Sequence, residues 1–187
     1  MVEAPKLPTA KFLSRIGVRY NSPMTQVILV GFVCFCCPGI FNVINGMGGG
    51  GLSNATVAKN GNVALYTTFA IFGVFGGGFY NVFGGRLCLL TGGVCYALYT
   101  GSLLYYKDHG SKNPAGGEAF VIIASAVLGI GAGILWTAEG VIMMSYPEEN
   151  MKGRCVGYFW IIFNLGGVIG ALIPLGLNFH SASNGRR

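Results

Sequence analysis

The stretch "GILWTAEGVIMMSYPEEN", residues 133–150, sets a carboxylate, Glu139, inside an otherwise apolar run. The next basic residue along the chain is Lys152. A buried charge without a partner is costly in a soluble core, and more so in a bilayer. Which solvent the run expects therefore decides the fold. If the helix ends near Tyr146, Glu139 lies about 10 Å inside it, at about 1.5 Å per residue. Pro147 closes the run, and Trp136, three residues before Glu139, shares its helix face.

Composition answers the solvent question. Apolar residues make up 52% of the 187-residue chain and charged residues 10%, against about 25% charged in a typical soluble domain. The mean hydropathy is +0.59. Glycine is abundant (32 residues) without a collagen period, and it falls inside the apolar runs. Small residues of this kind let membrane helices approach closely. The class is a polytopic membrane protein, so the lipid bilayer is the first expected partner and nucleic acid is not one.

Working outward from 133–150, five stretches are long enough to span about 20 apolar residues. They cover about 24–44, 63–83, 87–106, 119–146 and 155–177. None shows the alternation of a membrane barrel, so the fold class is all-α, a bundle of about five transmembrane helices. Residues 1–23 form a polar, basic segment without the apolar core of a cleavable signal. Lys11, Arg15 and Arg19 recur there beside Phe12, Ile16 and Tyr20, which suits either a helix lying on the inner leaflet or a basic tail. Residues 179–187 read as a polar tail or an interhelical loop, as though the chain were cut before a sixth helix.

Charge orients the bundle. With the N-terminus inside, Lys6, Lys11, Arg15, Arg19, Arg86, Lys152 and Arg154 are cytoplasmic, against Lys59, Lys107, Lys112, Arg186 and Arg187 outside. The positive-inside rule favours that arrangement, giving a multi-pass protein with a cytoplasmic N-terminus. It also sets the sequon at Asn54 in an outer loop, where glycosylation is expected.

Few residues in the spans offer chemistry. Asn42, Asn45, Trp136, Glu139 and Asn164 are the candidate cavity-lining set. In lipid each amide needs a partner, so the asparagines serve as interhelical glue or as cavity wall. Glu139 reads two ways, as a protonated acid tying helices together or as the titrating acid that proton-coupled transport requires. Gly73 with Gly77, Gly129 with Gly133, and Gly166 with Gly170 are spaced i, i+4, a signature of close helix packing that can also accommodate sliding.

Other motifs lead nowhere catalytic. The run "NGMGGGG", residues 45–51, lacks the G-K-[ST] ending of a phosphate loop. "CFCC", residues 34–37, has neither a nearby His nor a second Cys pair for zinc. His109 and His180 are isolated. No enzyme, metal site or cofactor is expected.

Five ordered segments together carry a resemblance: "CFCCPGIFNVINGMGGGG" (34–51), "NVALYTTFAIFGVFGG" (62–77), "GGVCYALYTGSLLYY" (92–106), "GILWTAEGVIMMSYPEENMKGR" (133–154) and "GYFWIIFNLGGVIGALIPLG" (157–176). The chain resembles the unc-ninety-three-like branch of the major facilitator superfamily, particularly its fungal members. The resemblance covers about 21–177, and the tryptophan-centred motif followed by "YPEEN" is its most specific part. It implies a fold of two six-helix halves around a central cavity, of which this chain is most of the N-terminal half. The loop "YNVFGGRLCLL", residues 80–90, keeps Gly84, Gly85 and Arg86 but lacks the superfamily's usual Asp, which weakens any carry-over of sugar or drug transport. The resemblance implies one of two functions. The intact protein transports a small solute, or it regulates or escorts an ion channel or another membrane protein. The expected partners are the missing C-terminal half, or a second membrane protein, and a small solute for the transporter.

Overall fold

The computed structural model describes residues 22–46, 54–110 and 113–184. The basic segment 1–21, most of the glycine run and residues 185–187 lie outside the described residues, as does the His180 side chain. The described residues form an all-helical fold with four helices long and apolar enough to cross a membrane. They are α1 (Pro23–Gly46), α2 (Ala55–His109), α3 (Pro114–Ser145) and α4 (Lys152–Asn184). The helices run beyond the apolar windows of the sequence, because helical hydrogen bonding does not stop where the hydrocarbon does.

Pro23 stands in the first turn of α1, where its missing N–H costs nothing. Pro38 lies inside the same helix, where it would clash and break the hydrogen-bond ladder. The helix answers with a π turn at Phe35–Gly39. α3 also opens on a proline, Pro114, after Asn113, whose side chain accepts from the Gly116 N–H at 3.1 Å.

A straight helix of 55 residues would be about 80 Å long, far more than the hydrocarbon thickness of about 30 Å. α2 is not straight. Gly84 has φ 74° and ψ 163°, a conformation open essentially to glycine alone. Packing on α3 shows that the helix doubles back there. In the arm before Gly84, Gly61 faces Ser125, Leu65 faces Gly129, and Gly76 faces Thr137, so the two helices ascend together. In the arm after it, Gly85 faces Ile142, Gly92 faces Leu135, Gly131 faces Cys95, and Gly117 faces Tyr106, so the order is reversed. α2 is thus a helical hairpin that clasps α3 between its arms.

α1 and α4 form a second unit and run parallel. Met24 accepts from the Cys155 thiol at 3.9 Å, Gly31 meets Ile162, Phe35 meets Gly166 and Val43 meets Gly170. Buried side chains join the two units, among them Val27, Leu103, Leu128, Leu135 and Phe159. The outer surface is apolar, with Val63, Val74, Phe75, Val82, Ile161 and Val168 all exposed. Such a surface suits lipid or further protein rather than water.

Candidate functional site: a cavity at the seam between two helical units

The α1–α4 unit meets the α2–α3 unit along a seam, and a cavity of about 180 Å³ lies in it. α1 contributes Pro38, Phe41 and Asn42, α2 contributes Leu65, Tyr66, Phe69 and Tyr96, and α3 contributes Leu128, Ala132 and Trp136. The π turn carrying Pro38 is therefore part of the wall. Re-phasing α1 by one residue sets which of its side chains face the seam. Both arms of the α2 hairpin supply wall residues, which the turn at Gly84 makes possible.

Aromatic edges hold the wall in place. The Phe41 ring meets Tyr96 and Tyr99 edge-on at 5.9 and 5.5 Å. Trp136 stands perpendicular to Phe163 of α4 at 5.5 Å. Edge-to-face pairs of this kind add about 0.5–1.5 kcal/mol each beyond their burial.

Glu139 lies three residues past Trp136 on the same face of α3, beyond the cavity wall rather than in it. It is 5% exposed, and its Oε1 has no hydrogen-bond partner among the described residues. The Cys34 thiol of α1, four residues before Pro38, is its electrostatic neighbour. Wall and carboxylate thus form two adjacent layers of one seam, Pro38 with Trp136 and Cys34 with Glu139.

The other sequence candidates are distributed differently. Asn42 is in the wall. Asn45 accepts from the Asn62 side-chain amide at 2.8 Å, binding the end of α1 to the start of α2. Asn164 is exposed and donates to the Trp160 carbonyl of its own helix at 2.8 Å, away from the cavity. Asn54 is exposed at the N-cap of α2. Of the paired glycines, Gly129, Gly133, Gly166 and Gly170 sit where a Cβ would press on a neighbouring helix, whereas one at Gly73 or Gly77 would meet open space.

Sequence reading did not single out Tyr66, Phe69 or Tyr96, nor Asn62 as the partner of Asn45. Aromatic residues are common on every face of a membrane helix, so nothing local marks the ones that face a seam. One signal was present. Pro38 in the middle of an apolar span marks a helix irregularity, and such irregularities concentrate at functional sites.

A model of the family described as "Ion channel regulatory protein UNC-93" matches residues 58–185. UNC93-like protein 1 of Arabidopsis thaliana is 56% identical over 165 residues, covering 88% of this chain and 35% of that protein. UNC93-like protein C922.05c of Schizosaccharomyces pombe is 49% identical over 174 residues, covering 91% of this chain and 33% of its own length. At 25% identity over 166 residues, Notoamide biosynthesis cluster protein O' of Aspergillus versicolor matches 89% of this chain and 35% of that protein. No solved structure matches. The chain spans about a third of the length of the curated relatives it matches. With most of its helices inside the family match and half its residues shared with an UNC93-like relative, this membrane protein belongs to the UNC-93 family.

Proposed function

We propose that the complete protein is a solute-binding membrane carrier of major facilitator architecture, to which this chain contributes the first five crossings. The observation that carries this reading is the seam cavity, an aromatic-walled space between two helical units with an unpartnered carboxylate one layer away. Membrane solute sites commonly lie between helical units that rock against one another, and a buried acid within a span is by default a functional group. On this reading the hairpin at Gly84 divides α2 into two crossings and the N-terminus is cytoplasmic, with Asn54 outside and glycosylated. The remaining helices of the bundle come from a C-terminal half or from a second membrane protein. The exposed apolar faces of α2 and α4 provide the surface such a partner needs.

The test is uptake by cells expressing the full-length protein, compared with cells lacking it, using an isotope-labelled extract of small metabolites. A solute accumulated or depleted only with the wild type, and lost on Trp136→Ala with surface expression unchanged, supports the carrier. No difference for any solute sinks it.

A second reading has its own observation, the description of the matched family as ion channel regulatory. In that case the apolar faces dock a channel, and the seam is structural. Current through a co-expressed channel would then change with the protein present and be insensitive to Trp136→Ala.

A further inference from the structure

We infer that the seam site takes a small organic cation, with its apolar body between the aromatic side chains and its ammonium end turned toward Glu139. This rests on the solute-binding reading above and names the class of solute.

Charge comes first. Glu139 is buried to within 5% of complete exclusion, and one of its oxygens accepts no hydrogen bond among the described residues. No Lys or Arg among them pairs with it; the ion pair they form joins Lys152 to Glu149 at 2.6 Å, in the exposed turn after α3. The seam therefore carries a carboxylate and no compensating cation. An anionic ligand would be repelled by that carboxylate, whereas a cation with N–H donors supplies both the missing charge and the missing hydrogen bond.

Shape agrees with charge. Phe41, Tyr66, Phe69, Tyr96 and Trp136 give the cavity aromatic surfaces on several sides, and aromatic faces attract cations as well as apolar groups. A dry cavity of about 150 Å³ accommodates a benzene ring, so the 180 Å³ here admits one ring and a short arm. From the Trp136 layer to the Glu139 layer is three residues of α3, about 4.5 Å along its axis. An amine on a two-carbon arm bridges such a step. Asn42, also at the wall, carries a side-chain amide oxygen that can accept from a second N–H.

The full-length protein in lipid nanodiscs tests this by scintillation proximity with tritiated 2-phenylethylammonium. Two competitors with the same phenylethyl body accompany it, neutral 2-phenylethanol and anionic 3-phenylpropionate. The ammonium is expected to bind at least tenfold more tightly than the alcohol, with no competition from the acid. Glu139→Gln is expected to remove that preference while leaving the weak affinity for the alcohol. Equal binding of ammonium and alcohol to the wild type, or an ammonium affinity unchanged in Glu139→Gln, overturns the inference. The wild-type comparison stands even if the variant fails to fold. Binding of the alcohol or the acid as tight as that of the ammonium, and lost on Trp136→Ala, would overturn the cation assignment and keep the solute-binding reading. Absence of binding by all three probes overturns the cation assignment, and the uptake comparison then judges solute binding separately.

Discussion

Gly133 of α3 lies against Gly73 of α2 so closely that a Cβ on Gly133 would stand 2.9 Å from the Gly73 amide nitrogen. The contact is one-sided, since a Cβ on Gly73 would point into open space. Two glycines that look equivalent in sequence therefore have different tolerances. Gly133→Ala pushes into backbone that cannot rotate away, and overpacking of this kind costs about 1–3 kcal/mol. Gly73→Ala is expected to be neutral or slightly stabilising, since Ala is the better helix former. Thermal unfolding of the 187-residue chain in mild detergent should separate the two, and equal losses would contradict the packing.

The turn at Gly84 makes a sharper prediction. A Cβ there has nothing within 4 Å, so the cost of substitution is conformational alone. Gly84→Ala must hold a positive φ of 74° with extended ψ, at about 1–3 kcal/mol. The neighbouring Gly77→Ala, helical and open, is expected to cost nothing. A lower unfolding temperature for the first and not the second is the expected result.

Asn45 and Asn62 should behave as a pair. Each single Leu substitution leaves a part-buried amide without its partner, whereas the double substitution leaves none. Coupling energies between polar residues within membranes average about 0.6 kcal/mol, so a double-mutant cycle should return a value of that order. Asn164→Leu, whose hydrogen bond lies within its own exposed helix face, should show no coupling to either.

Glu139 is expected to be dispensable for stability. Because its Oε1 has no partner, Glu139→Gln removes a buried charge without breaking an ion pair. It should leave the unfolding temperature unchanged or raise it. A large loss of stability would reveal a structural role for the carboxylate. Glu139→Lys, by contrast, places a longer charged chain beside Cys34 and should abolish folded protein on size-exclusion chromatography.

The proposed orientation has a direct readout. With the N-terminus inside, full-length protein expressed in a eukaryotic cell should carry a glycan on Asn54. Glycosidase treatment or Asn54→Gln should then give the same gain in gel mobility. A band that moves with neither shows Asn54 unmodified and contradicts the predicted glycan.

The sequence alone determined the solvent and the class of this protein. Apolar runs of 20 residues with 10% charge overall can only be helices in a bilayer, and the ordered motifs from "CFCCPG" to "GALIPLG" sufficed to place the family. It also marked Glu139 and Trp136 as unusual, because a carboxylate in such a run is visible without any coordinates. The tertiary structure decided which residues share a space. Asn42 and Asn45 sit three apart on one helix, yet one faces the cavity and the other is bound to Asn62. Gly73 and Gly133 carry the same spacing signal, yet only one of them excludes a side chain. Tyr66 and Tyr96 are thirty positions apart and line one wall because Gly84 turns their helix back. Spacing along a helix tells which residues share a face. Only the packing of α1 and α4 against the α2 hairpin and α3 tells what that face meets, because that contact depends on turns and close approaches between segments far apart in the chain.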